Sequence, residues 1–211
     1  MKLHGYFRSA ASYRVRIALN LKALTAQQQY HHLRKGEQRA PDYLHLNPQG
    51  LVPTLETDNG GVITQSLAII EWLDETHPEP PLLPKNPTPR ARVRAFAMVL
   101  ASDTHPIQNL GVLNRLRAAK LPEDFVTRWA ADINEQGLEA CERLILIERG
   151  PFCFGAAPTI ADICLVPQLY NARRFKADVS KFRRLLEAEA ACLALPAFKN
   201  AAPEQQPDYE S

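Results

Sequence analysis

Glycine is scarce in this chain: nine are spread over 211 residues, where an average composition supplies about fifteen. They form neither a phosphate-binding loop nor a dinucleotide fingerprint, both of which need closely spaced glycines between a strand and a helix, so ATP, GTP and NAD(P) chemistry has no support. Long apolar runs are missing too. No stretch reaches the roughly 18 apolar residues that span a bilayer, and Met1-Lys2-Leu3-His4-Gly5-Tyr6 lacks the apolar core of a secretion signal. The expectation is a cytoplasmic protein with no membrane partner. Neither sign of charge dominates, with 25 basic and 23 acidic residues giving a net +2. No field extends over the whole molecule to gather nucleic acid, and a basic site has to be local. The four cysteines, Cys141, Cys153, Cys164 and Cys192, lie too far apart for paired zinc-ligand spacing. They read as small buried apolar side chains, and no metal is expected.

Proline is in excess, 17 residues against about eleven on average. Six fall within Pro78-Glu79-Pro80-Pro81-Leu82-Leu83-Pro84-Lys85-Asn86-Pro87-Thr88-Pro89, a density that predicts a stiff, extended connector. The expected division is a domain over 1–80, a linker over 81–88 and a second domain over 89–211.

The first part alternates. Strands are expected at Lys2 to Tyr6 and Gln28 to Leu33, and as a hairpin, Val52 to Glu56 and Val62 to Thr64, around Asp58-Asn59-Gly60-Gly61, a good turn sequence. Helices are expected at Ser12 to Leu24, Gln38 to Leu46 and Gln65 to Thr76. The second part carries helical periodicity only, at about Pro89 to Ala118, Glu123 to Ile147, Thr159 to Arg174 and Lys181 to Ala191. Thr159 and Asp162 form a variant capping box. The fold class is therefore an α/β domain of order β-α-β-α-β-β-α followed by an all-α domain.

That first order, with a proline before the third strand, suggests a thioredoxin-like fold. Redox members carry Cys-x-x-Cys at the first helix; here the stretch is Ser9-Ala10-Ala11-Ser12, and hydroxyls cannot exchange disulfides. A serine at a helix N-terminus can still donate to a thiolate supplied by another molecule, aided by unpaired N–H groups and the helix dipole. It can equally be a plain cap.

Tyr6-Phe7-Arg8-Ser9-Ala10-Ala11-Ser12-Tyr13-Arg14-Val15-Arg16-Ile17-Ala18-Leu19 resembles the N-terminal signature of zeta-class glutathione transferases. The similarity continues through Val52-Pro53-Thr54-Leu55, Gln65-Ser66-Leu67-Ala68-Ile69-Ile70-Glu71-Trp72-Leu73, Pro106-Ile107-Gln108-Asn109-Leu110, Thr159-Ile160-Ala161-Asp162, Arg174-Phe175 and Gln206-Pro207-Asp208. The family's Ser-Ser-Cys is Ser9-Ala10-Ala11 here, which keeps the first serine and loses the other two side chains.

The resemblance implies a glutathione transferase fold, glutathione as cofactor and usually a homodimer. It assigns glutathione to Ser9, Ala10, Ala11, Gln38, Val52, Pro53, Gln65, Ser66, His105 and Asn109, with Val52-Pro53 as a cis-proline turn. It further implies glutathione-dependent cis–trans isomerisation of an enol-dicarboxylate, maleylacetoacetate or maleylpyruvate, with Ser9 holding the thiolate and Arg8, Arg174 and His105 facing substrate oxygens. Surface ion pairs are the plainer explanation of the arginines, and a structural role that of His105. Four residues apart, His105 and Asn109 are expected on one helix face. His4, His31 and His32 read as ordinary surface or strand residues. Asn109-Leu110-Gly111 leans toward maleylacetoacetate. A general transferase that conjugates or dehalogenates electrophiles, and a non-catalytic binding module, remain alternatives.

Overall fold

A computed structural model describes residues 1–210. Met1–Leu82 together with the chain from Ala194 onward forms one compact unit, and Leu83–Leu193 forms the other.

In the first unit β1 (Lys2–Gly5) leads into α1 (Ala10–Leu21), then β2 (Gln27–Tyr30), α2 (Pro41–Leu46), β3 (Thr54–Glu56), β4 (Val62–Thr64) and α3 (Ser66–Thr76). The sheet order is β2-β1-β3-β4. β1 pairs parallel with β2, Leu3 opposite Gln28, and antiparallel with β3, Leu3 opposite Leu55. Leu3, Val15, Ile17, Leu55, Ile69, Ile70 and Leu73 are fully buried, and α1 packs against α3. The hairpin turns where expected, with Gly60 at φ +83°. The single helix anticipated over Gln38 to Leu46 is instead a 3₁₀ turn, Glu37–Arg39, followed by α2. Pro41 is the cause: the residue before proline is pushed out of the helical region, and Ala40 sits at ψ 143°.

The chain beyond Ala194 does not extend the helical unit as anticipated. Phe198 is fully buried, Tyr13 donates its hydroxyl to the Phe198 carbonyl at 3.4 Å and Arg16 donates Nε to the Ala201 carbonyl at 3.0 Å.

The second unit contains α4 (Pro87–Met98), α5 (Leu110–Ala118), α6 (Glu123–Ile145), α7 (Ile160–Arg174) and α8 (Arg183–Ala194). α4 begins within the expected linker, because proline in a first turn loses only an N–H that had no partner. The long helix anticipated to Ala118 is broken: a π-helical stretch, Val99–Thr104, passes into a 3₁₀ turn, His105–Gln108, before α5 restarts. Pro106 removes a helical donor at the break. α7 is the core helix, buried on nearly every face, with the polar Asp162, Gln168 and Asn171 among its buried residues. Its capping box forms, the Asp162 carboxylate accepting from the backbone N–H groups of Thr159 and Cys153, each at 2.8 Å. All four cysteines are buried and none forms a disulfide. No helix among the described residues is long and apolar enough to cross a membrane.

Candidate active site

The loop from β1 to α1 ends on Ser9, whose extended backbone (φ −74°, ψ 114°) makes it the N-cap. Its Oγ accepts from the Ser12 N–H at 3.2 Å. A hydroxyl has two lone pairs and one proton, so the cap uses an acceptor and leaves the proton to be donated. Ala10 and Ala11 hold the first two helical positions, whose N–H groups have no intrahelical partner. Ser12 is different: it is fully buried, and a Cβ on Gly5 would lie 3.3 Å from its Oγ. Of the two serines, only Ser9 is half-exposed.

Two buried arginines of α1, which sequence reading left without a role, fix this corner. Arg14 donates Nη1 to the Ser66 hydroxyl at 3.3 Å, tying α1 to the start of α3. Arg16 donates to the carbonyls of Tyr6 at 3.4 Å and Phe7 at 3.1 Å. Burial lowers the Arg16 pKa to about 10, against which Asp208 holds it charged. The available signal was charge inside an otherwise apolar helical run. Arg8 is half-buried, its guanidinium 5.0 Å from the Phe7 ring.

A small apolar cluster of Tyr6, Phe7, Tyr43 and Val52, with Leu33 and Leu46 packed on it, brings the β1–α1 loop, the 33–39 turns and the loop before β3 together. The Val52-Pro53 peptide is cis. Tyr43 donates its hydroxyl to the Leu51 carbonyl at 2.6 Å, and Asn47 donates Nδ2 to the same oxygen at 2.7 Å. Gln65 precedes α3 at φ +70°, a conformation that side chains rarely adopt and that clusters at ligand sites. Its amide donates to Gln49 Oε1 at 2.8 Å. Ser66 is buried at the first position of α3. Gln38 donates Nε2 to the Leu33 carbonyl at 3.4 Å, while its Oε1 is buried with no hydrogen-bond partner.

His4 is a strand residue, as expected, but it is joined to His31 and Glu56 by hydrogen bonds that the sequence did not reveal. His4 is buried on β1, its Nδ1 sharing a proton with His31 Nε2 at 2.8 Å and its Nε2 reaching Glu56 Oε1 at 2.7 Å. This is a chain of polar contacts that crosses the sheet from the end of β2 through β1 to β3.

In the second unit His105 opens the 3₁₀ turn and Asn109 caps α5, its Oδ1 accepting from Val112 N–H at 3.1 Å. They do not share an α-helical face, because the break at Pro106 lies between them. Arg173 is spent on a two-point ion pair with Glu189, both contacts at 2.5 Å. Arg174, the last residue of α7, is exposed with its guanidinium 4.6 Å from the Phe175 ring.

Residues 8–76 match the family described as Glutathione S-transferase, N-terminal domain. Over 99% of this chain and 98% of the relative, the sequence is 47% identical to a maleylacetoacetate isomerase of Pseudomonas aeruginosa. The chain belongs to the zeta-class glutathione transferases. A solved maleylpyruvate isomerase, described as a bacterial glutathione S-transferase of zeta class in its holo form, is 42% identical with a TM-score of 0.96, covering all of both chains. A maleylacetoacetate isomerase of Methylobacterium extorquens AM1, solved with malonate and glutathione bound, is 38% identical, also with TM-score 0.96 and full coverage of both. At the Ser9 corner the first serine of the family motif stays and its cysteine is replaced by Ala11.

Proposed function

We propose that this zeta-class transferase is a glutathione-dependent cis–trans isomerase of maleylacetoacetate or maleylpyruvate. The observation that carries the reading is Ser9: one oxygen caps α1 and keeps a proton to donate at a helix N-terminus, where an anion is favoured. The rest of the corner fits glutathione. Ser66 and the first turn of α3 suit a carboxylate, the Val52 backbone beside a cis-proline suits strand-like pairing with a peptide, and the buried Gln38 Oε1 suits an N–H donor. When bound, glutathione supplies a thiolate that adds to the cis double bond, permits rotation about the resulting single bond and is released unchanged.

The chain's own part is electrostatic. Ser9 and the Ala10 and Ala11 N–H groups hold the sulfur ionised, and the planar forks of Arg8 and Arg174 hold substrate carboxylates in two-point fashion. His105 donates to an enolate or carboxylate oxygen, and Asn109 lies beside glutathione. We further assign a cytoplasmic homodimer, which sedimentation of the pure protein tests. Asn109-Leu110-Gly111 favours maleylacetoacetate over maleylpyruvate.

Incubation with catalytic glutathione and each cis diacid decides the reaction. Conversion to the trans product with glutathione recovered supports isomerisation; stoichiometric loss of glutathione shows a conjugating transferase instead, and no binding of glutathione refutes the reading.

A further inference from the structure

The stretch between β1 and α1, residues 6–9, belongs to neither element, yet it carries Arg8 and Ser9. Its peptide groups are held from both sides. Arg16 binds the carbonyls of Tyr6 and Phe7, and Asp208 Oδ2 accepts from the Phe7 N–H at 2.9 Å. Burial raises the Asp208 pKa and lowers that of Arg16, and the Phe7 N–H bond and the attraction between the two charges work against those shifts. A cation and an anion therefore grip the same short stretch, and hydrogen bonds to ionised groups are the stronger kind.

The neighbours of Asp208 continue the contact. The Tyr209 ring meets the Phe7 ring edge-on at 5.4 Å between centroids. Glu210 splits its groups: its backbone carbonyl accepts from Arg8 Nη2 at 3.3 Å, while its carboxylate pairs with His32 Nε2 at 3.0 Å. Glu210 thus orients the Arg8 guanidinium through a neutral oxygen and spends its own charge elsewhere. A carboxylate at that oxygen's place would compete with a substrate carboxylate for Arg8; a carbonyl competes far less.

We propose that residues 206–210 form a positioning strap for the reaction, anchored by Asp208, which sets the Arg8 guanidinium and the Ser9 hydroxyl in place. Asp208 and Glu210 are positioning residues and act through Arg8 and Ser9. The proposal rests on the isomerase reading above for the identity of the substrate, but the strap itself does not depend on it.

The test is Asp208→Ala in the full chain, measured alone and combined with Arg8→Ala. A misplaced site group costs on the order of tenfold to a hundredfold, so kcat/KM for isomerisation should fall by about that factor. KM for the diacid should rise, and the alkaline shift of the thiolate limb in the pH–rate profile should accompany it. In the Arg8→Ala background much of the effect should vanish, since contacts that act through one another are not additive. A loss that multiplies fully in that background, with an unmoved pH profile, overturns the strap. Should Asp208→Ala fail to fold, Asp208→Asn, which keeps an acceptor for Phe7 N–H but drops the charge, enters the same cycle, with Asp208→Glu expected to restore activity. A wild type that conjugates without isomerising overturns the substrate reading alone; the same cycle on conjugation rate and on the ultraviolet absorbance of bound thiolate then decides the strap.

Discussion

One oxygen of Ser9 serves the backbone and, on the proposed function, the cofactor, and these duties separate on mutation. Ser9→Ala should lose the cap, about 1 kcal/mol of stability, and lower kcat by roughly a hundredfold, as for removal of one well-placed donor. Thermal unfolding and turnover measured on the same sample check both, and unchanged turnover would remove Ser9 from the mechanism. At this scale the sequence was partly legible. Ser9 stood out because the hydroxyl lies where redox relatives of the fold place a thiol. Ser12 looked equivalent and is not, since the spacing of two serines says nothing about the close approach of Gly5 that buries one of them. His4 read as an ordinary surface or strand residue because strand alternation cannot foresee that Glu56 of β3 and His31, just beyond β2, would sit within hydrogen-bond reach.

Elements show where local chemistry overrides periodicity. The long helix expected through Ala118 carries the right apolar spacing, but Pro106 withholds a donor and the backbone widens into a π-helical stretch before it. That stretch lies against α6 at Gly137, where a Cβ would fall 2.0 Å from Thr104 Oγ1. Gly137→Ala should therefore destabilise the fold by about 1–3 kcal/mol through overpacking, despite the gain in helix propensity, and Thr104→Ala should recover part of the loss in chemical denaturation. The α7 cap gives a second comparison. Thr159→Ala should cost about 1 kcal/mol. Asp162→Ala should cost more, because two backbone N–H groups lose their acceptor and a buried unsatisfied donor costs on the order of 1–3 kcal/mol. Equal midpoint shifts for the two variants would contradict this.

For the whole molecule, the near-zero net charge places pH sensitivity in individual sites. Burial, then the neighbouring His4, lowers the His31 pKa; the unfolded chain takes up that proton first, so stability declines as pH drops below about 6.5. Hydrogen bonds from Lys2 and then His4 lower the Glu56 pKa; its contribution is present above about 4.5 and is lost as pH falls through the folded value. The melting temperature should therefore drop between pH 7 and pH 5 and more steeply below, and His31→Asn should flatten the first part. A wild-type melting temperature constant from pH 7 to pH 5 would discount the His31 contribution.

Composition, motif order and turn chemistry by themselves determined the element sequence of the first unit, the helical character of the second and the serine at the head of α1, while the cis peptide at Pro53 was implied by the family resemblance. These are short-range properties, written in neighbouring residues and their period. Tertiary structure alone decided that the chain beyond Ala194 packs against α1, that Arg14 and Arg16 are buried fasteners, that Arg173 pairs with Glu189, and that Asp208 meets Phe7. Each of these depends on partners far apart in the chain, and a hydrogen bond or ion pair between them leaves no periodic trace in the sequence. The scarcity of glycine has a physical counterpart in the proposed function, which rests anion binding on helix N-termini and arginines and needs no glycine-rich loop.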